Sequence, residues 1–407
     1  METTSGRNED HVGIPPATPA TERGDAEEER ALVVVTGGSK GIGRSCVASF
    51  ARRGARVLFT YCSDAAGARA VEQSFEPPGR VQCRRLDQGD FDSVVAFAVE
   101  VDQWREGREI STVVNNAALG VATVSSYGGL PHPGSSRPTA ADAPTGGGEG
   151  GRSQEHDDAA RRRAEEDVAL MRVNALGPLW VTEALLPMMV ASSPSDAAKE
   201  QRGDSATSAA AMGVAPKNQP RFDGDRERAA PIFPPFTGNV KKRTVLFVGS
   251  VGGGSQAVFP GFRAADAMSK AAVAYASKHF ASRSRAAALD GGETASAVAA
   301  AAGSTGGAAT AYSDPKGGVD FVCLCPGATL TDMFRASTLD KMEAKGPGEL
   351  ERFLRALPQG RLMLPDEVGE AVYWLCSSPA ATMFHGAVID ASAGLAVRPG
   401  ALTEYSF

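Results

Sequence analysis

Ala31-Leu32-Val33-Val34-Val35, running straight into Thr36-Gly37-Gly38-Ser39-Lys40-Gly41-Ile42-Gly43, is the stretch that decides the fold. An unbroken apolar run of this length is what a strand shows when both of its faces are covered. The glycines follow at once, and a helical pattern opens at Gly43 and continues to residue 53. Gly37 permits a tight turn, Gly41 lets backbone approach a pyrophosphate, and Gly43 lets the helix pack close to the strand. The helix start then offers free N–H groups and the positive end of its dipole to phosphate oxygens. Thr36, Ser39, Lys40 and Ile42 complete the loop expected to hold a dinucleotide.

Outward from this unit, strand-like runs recur at 56–60, 80–86, 111–114, 244–248, 319–324 and 387–389. Helical patterns fall between them, at 92–103, 164–174, 178–190, 265–282 and 366–376. This alternation predicts the α/β class: one Rossmann-type, doubly wound parallel sheet of about seven strands with helices on both faces. Four stretches break the rhythm. Residues 1–29 form an acidic tail that includes Glu27-Glu28-Glu29, and 120–157, 192–240 and 286–317 are rich in Gly, Pro, Ser, Ala or polar residues. Such composition buries too little apolar surface to offset chain entropy, so disordered, low-complexity insertions in a single domain spanning 30–407 are expected. Subtracting them leaves roughly 250 residues, a size that one α/β domain fills.

The 407 residues carry a net charge of −6 and no Lys/Arg block, which argues against a nucleic-acid face. No apolar stretch is read as long enough to span a membrane, and the acid-rich start fits neither a transit nor a signal peptide. Cys46, Cys62, Cys83, Cys323, Cys325 and Cys376 contain no Cys-x-x-Cys pair. They are expected to be reduced and buried in a cytoplasmic protein, with no metal site. The second strand ends Phe59-Thr60-Tyr61-Cys62-Ser63, without the acid that usually accepts from the ribose hydroxyls of NAD. Lys40 and Arg44 flank the glycine loop and suit a 2′-phosphate, so NADP(H) is favoured over NAD(H), while Asp64 keeps NAD(H) open.

The glycine spacing resembles that of the short-chain dehydrogenase/reductase family, and further motifs follow in the family's order. Asn115-Asn116-Ala117-Ala118 resembles its Asn-Asn-Ala-Gly, Asp87 matches the acid that contacts adenine, and Asn174 lies in a segment like that of the active-site asparagine. Ser250 falls at the catalytic serine, and Cys325-Pro326-Gly327 through Thr331 resembles the loop that grips the nicotinamide carboxamide. The stretch from Gly360-Arg361 to Val368 is similar to the close of the 3-oxoacyl-[acyl-carrier-protein] reductase branch. The resemblance implies that Asp87, Asn115, Ala117, Lys270, Pro326, Gly327 and Thr331 join the glycine loop in holding the cofactor. It implies catalytic roles for Asn174, Ser250 and Lys270, and subunits that assemble as homotetramers or homodimers through the helices at 178–190 and 265–282.

One motif departs from the family. Its Tyr-x-x-x-Lys reads Asp266-Ala267-Met268-Ser269-Lys270, so Asp266 stands where the resemblance places the proton donor. With a reference pKa of about 3.9, roughly one aspartate in a thousand is protonated at pH 7. A neighbouring Lys⁺ lowers that further, and only strong desolvation raises it. An exposed ion pair between Asp266 and Lys270 is the plainer reading of the same spacing. The enoyl-reductase tyrosine position is Arg263, and Tyr275 is half a turn out of phase; Tyr127 lies in the insertion at 120–157, and nothing in the sequence demands that it reach the site. Two functions stand: an NADP(H)-dependent oxidoreductase acting on a carbonyl, a 3-oxoacyl thioester or small ketone, with Asp266 as the variant acid, or a catalytically impaired dinucleotide-binding relative acting as a sensor or interaction subunit.

Overall fold

The computed structural model describes residues 31–127, 151–190, 242–254, 262–284 and 318–397, with backbone alone for 151–155. The expected tail at 1–29 and the insertions at 192–240 and 286–317 lie outside the described residues.

Seven parallel strands form one sheet in the order β3-β2-β1-β4-β5-β6-β7. They are β1 (Leu32–Val35), β2 (Arg56–Tyr61), β3 (Val81–Arg85), β4 (Ile110–Asn115), β5 (Thr244–Val248), β6 (Asp320–Pro326) and β7 (Val388–Ala391). The order reverses between β1 and β4, and an open parallel sheet has its crevice beyond the carboxyl ends of the strands at such a point. The expected fold class is the one observed.

Alternation along β1 distributes the core. Leu32 and Val34 pack into one apolar cluster with Phe97, Leu185 and Phe280, while Val33 and Val35 join Val47, Phe50 and Val372 on the opposite face. The first face is covered by α3 (Phe91–Arg105), α6 (Gly177–Val190) and α7 (Ala264–Ser284), and the second by α1 (Gly41–Ala51) and α11 (Pro365–Ser377). Each buried aliphatic or aromatic side chain contributes about 1.5–3 kcal/mol relative to exposure.

Three helical segments were not legible. The first, α2 (Ala65–Gln73), is polar and carries Gly67, but Asp64 caps it by accepting the Gly67 N–H at 3.0 Å. The expected insertion at 120–157 is corrected at both of its described ends. Val124–Tyr127 is a helical turn, α4, and α5 (Gly151–Met171) begins well before the expected 164. The third is a run of short helices after β6: α8 (Asp332–Phe334), α9 (Asp340–Lys345) and α10 (Glu349–Ala356). Leu339, Met342 and Phe353 of this run bury themselves against Val251 and Leu395 in a separate cluster.

The helix of α5 does not stop at 174. It passes through a π-helical turn, Arg172–Leu176, into α6. Pro178 has no N–H to give the carbonyl of Asn174, and a π-turn is one way for a helix to absorb such a defect. The continuous run His156–Val190 is therefore long and apolar enough to cross a membrane by length and composition, contrary to the expectation from sequence. Half of its most apolar window is buried inside the protein, as in the core helix of a sheet protein.

Candidate active site

Beyond the carboxyl ends of the strands lies a cleft of about 1420 Å³, lined by the glycine loop, Asp87, Asn116, Ala117, Ser250, Asp266, Lys270 and the Pro326-Gly327 turn. Gly37 and Gly41 have φ of 67° and 52°, in the left-handed region. A Cβ on Gly37 would sit 2.8 Å from the Ala117 Cα, and one on Gly43 would press into the Gly37 carbonyl and the Asn116 amide. No side chain caps the start of α1, so its first N–H groups face the loop. A cradle that only glycine fills, at an open helix start, fits a pyrophosphate.

The cradle is held from below. Thr36 is fully buried, and its Oγ1 accepts the N–H groups of Asn116 and Ala117 at 3.0 Å each. Asn116 Nδ2 donates to the carbonyls of Thr36 and Gly37 at 3.0 and 3.1 Å, and Gly37 N–H donates to Thr60 Oγ1 at 3.1 Å. Thr36 thus shapes the loop from the interior. Asn115, expected to touch cofactor, turns away: its buried Nδ2 donates to Thr182 Oγ1 of α6 at 3.0 Å. The strand alternation explains this orientation. Val113 belongs to the α6 side and Val114 to the α1 side, so Asn115 faces α6.

At the ribose end, Lys40 and Asp64 form an ion pair of 2.9 Å. Arg44, the second cation expected near the 2′-phosphate, instead lines a separate hollow of about 400 Å³ with Arg52 and Arg80. Asp87 Oδ1 accepts the Gly89 N–H at 3.0 Å and the phenol of Tyr127 at 2.7 Å. Gln88, overlooked in the sequence, donates from Nε2 to the carbonyls of Ala117 and Val173 at 2.8 and 2.7 Å, joining the β4 loop to the π-turn. Nothing in its local pattern signals that reach, because its partners are distant in sequence.

At the other end, Asn174 is buried. Its Oδ1 accepts the Leu119 N–H at 2.7 Å, and its Nδ2 donates to the Leu119 carbonyl and to Ser269 Oγ at 2.9 and 3.2 Å. The Ser269 hydroxyl donates to the Asp266 carbonyl at 2.7 Å, so Asn174 positions the helix that carries Asp266 and Lys270. Ser250 follows β5, and its Oγ accepts the Gly252 N–H at 3.3 Å. On the far side, Gly327 packs where a Cβ would lie 2.7 Å from the Ser392 carbonyl, and Thr331 caps α8 beside Gly41.

Asp266 and Lys270 are not an exposed pair. Both are half-buried, and Asp266 Oδ1 is enclosed with no hydrogen-bond partner among the described residues. Burial lifts the carboxyl above its ordinary value against the pull of Lys270 and Arg263, and burial likewise lowers the Lys270 ammonium against the pull of Asp266. Desolvation outweighs the lysine, the reverse of the balance expected for an exposed pair. Arg263 is committed elsewhere, to Glu166 and Asp167 at 2.6 Å each. Beneath the site, Cys323 and Cys325 are buried free thiols with sulfurs 3.9 Å apart; Cys46 and Cys376 are also buried, whereas Cys62 and Cys83 are half-exposed.

Residues 31–128 match the family model described as short chain dehydrogenase. Over 90 residues, the sequence is 38% identical to the short-chain dehydrogenase/reductase FrzI of a Cladobotryum species, covering 21% of this chain and 33% of that protein. It is 40% identical over 87 residues to an L-fucose dehydrogenase of Rattus norvegicus, covering 21% of this chain and 30% of the relative. The matches span about a third of the length of these curated relatives. Among solved structures, a variant of actinorhodin polyketide ketoreductase with NADPH superposes with a TM-score of 0.54 at 17% identity, covering 93% of this chain and 99% of that one. Levodione reductase gives 0.53 at 18% identity, covering 90% and 98%. The Pseudomonas aeruginosa RhlG/NADP complex gives 0.52 at 17%, covering 90% and 96%. At these identities the likeness is one of fold, and the fold is that of a short-chain dehydrogenase.

Proposed function

We propose that this chain is a short-chain dehydrogenase/reductase that uses NADP(H) to reduce a carbonyl, of the 3-oxoacyl-thioester or small-ketone type. One observation carries the reading: a single cleft holds a glycine cradle at one end and Ser250, Asp266 and Lys270 at the other. The family match over 31–128 supports it, as does the likeness in fold to NADPH-bound ketoreductase.

The nicotinamide dinucleotide, when bound, supplies the hydride. The chain's own residues do the rest. Ser250 Oγ donates to the substrate carbonyl oxygen, and the Lys270 ammonium holds ribose hydroxyls. Asp266 is the candidate donor of the proton, and burial raises its carboxyl above the ordinary value against Lys270 and Arg263. Each unit by which that pKa rises multiplies the protonated fraction at neutral pH about tenfold, so the enclosed Oδ1 replaces the phenol by environment rather than by intrinsic acidity. Met268 and Tyr275 on α7 are 60% and 71% exposed, consistent with a subunit contact between copies of the chain on this helix.

The second reading, a dinucleotide-binding relative with little turnover, draws on the tyrosines. Tyr275 is exposed, and Tyr127 is tied to Asp87, so neither phenol replaces the missing one. NADPH oxidation with acetoacetyl thioesters, run beside a fluorescence titration of NADPH, separates the two. Turnover supports the enzyme; binding without turnover supports the sensor; no binding removes both.

A further inference from the structure

We infer that Gln88 is a positioning residue for the cleft: it supplies the donor that Pro178 withholds from the π-turn, and so holds Asn174 in register. The backbone of the turn creates the need. Gly177 N–H, the donor that an α-helix would give to the Val173 carbonyl, goes instead to the Arg172 carbonyl. In a π-turn the donor for Val173 is the N–H five residues on, and that residue is Pro178. The helix therefore has no donor of its own for the Val173 carbonyl. Gln88 Nε2 provides one from the loop after β3, at 2.7 Å in the protein interior.

The surroundings are shaped for this contact. Gln88 is 3% exposed, and the second hydrogen of its Nε2 goes to the Ala117 carbonyl at 2.8 Å. Its Oε1 is enclosed without a partner among the described residues, and the reverse orientation would set two carbonyls against an oxygen. The amide is thus turned to serve Val173 and Ala117. Gly177 gives it room: a Cβ there would lie 2.7 Å from the Gln88 carbonyl oxygen and 2.8 Å from its Cγ. The φ of Gly177 is −56°, which any residue adopts, so close approach is what this glycine provides.

What this placement governs is the next residue. Asn174 lies inside the π-turn and is buried, with its side chain bonded to both the N–H and the carbonyl of Leu119 and to Ser269 Oγ. Two adjacent ties therefore join the β4 loop to the turn: Ala117 to Val173 through Gln88, and Leu119 to Asn174 directly. A one-residue slip of the helix rotates Asn174 by about 100° and breaks its bonds. Ala117 packs on Gly37 of the cradle, and the Ser269 hydroxyl donates to the Asp266 carbonyl, so the joint borders both ends of the cleft. Its bearing on turnover rests on the reductase reading; the contact itself does not.

Four full-length proteins test this without cofactor: the parent, Gln88→Met, Pro178→Ala and the double variant. Methionine keeps the length of the side chain and removes both donors, while alanine in place of the proline returns an N–H to the helix. In urea unfolding, Gln88→Met is expected to raise the unfolding constant at least about tenfold, the scale of a buried carbonyl left without a donor. In the Pro178→Ala background the same substitution is expected to raise it about fivefold less. The side-chain amide signal of Asn174, identified by its loss in Asn174→Asp, adds a local readout. It is expected to shift in Gln88→Met and to return in the double variant, which a general loss of stability would not produce. Equal costs in the two backgrounds overturn the inference, as does an Asn174 signal that stays in place or fails to return. If Gln88→Met alone does not fold, the double variant is expected to fold, and its failure overturns the inference too. A parent that binds no NADPH ends the reductase reading and leaves these four comparisons standing.

Discussion

Lys40 Nζ lies 2.9 Å from Asp64 Oδ2, so the cation expected to favour NADP(H) and the acid expected to favour NAD(H) are one ion pair. Their mutual hydrogen bond is the leading reason that Lys40 is held above its ordinary value and Asp64 below its own. Lys40 is 58% exposed and Asp64 30%, so solvent screens the pair and it adds little stability. Its consequence is for selectivity.

In the proposed NADP(H) reading, a 2′-phosphate shares Lys40 with Asp64. Asp64→Asn is therefore expected to tighten NADPH binding by up to about fivefold relative to NADH, the upper scale of an exposed ion pair. Lys40→Ala is expected to weaken NADPH by a similar factor and leave NADH nearly unchanged. Fluorescence titration of both cofactors at low salt measures the ratio; parallel changes for the two would place the 2′-phosphate away from this pair.

Restoring the family's phenol is expected to help turnover. Asp266→Tyr should raise NADPH-dependent reduction of acetoacetyl thioesters at least about tenfold, within the range of general acid catalysis. An unchanged or lower kcat would mean that the cleft delivers its proton by another route.

The same residue gives a pH signature in stability. The folded state raises the Asp266 pKa, so its favourable contribution is complete below the unfolded value of about 3.9 and is lost as pH rises through the folded value. Asp266→Asn has no proton to lose. The difference in Tm, variant minus parent, is expected to be small at pH 4 and positive at pH 8. A difference independent of pH would show a carboxylate that titrates normally.

Gly43→Ala puts a methyl group onto the Gly37 carbonyl and the Asn116 amide, inside the cradle. NADPH affinity is expected to fall more than about tenfold, the effect of roughly 1.4 kcal/mol. Circular dichroism should stay the same, because the helix tolerates alanine. Full binding would mean that the loop relaxes without losing its phosphate contacts.

Phe321 is 1% exposed and stacks on Phe280 at 5.4 Å, which stacks in turn on Phe247 at 6.3 Å. This ladder joins β5, β6 and α7, the elements that deliver Ser250 and Lys270. Phe321→Ala is expected to destabilise the protein by about 3–5 kcal/mol in urea unfolding. A loss under ~1 kcal/mol would mean that the cavity collapses.

Local chemistry was enough for the strands, the glycine loop and the order of the motifs. Apolar runs and glycine placement report on neighbours in sequence, and β1, α1 and the Pro326-Gly327 turn are built from such neighbours. Three-dimensional packing decided the rest. It turned Asn115 into the core and Asn116 onto the loop, because a strand alternates its faces. It carried α5 through Asn174 into α6, because covering helices supply the burial that an isolated π-turn lacks. It reversed the electrostatics at Asp266, since spacing along a helix reveals a neighbouring charge but not the loss of water around it. It also set Tyr127 on Asp87, a contact across 40 residues that no local pattern encodes.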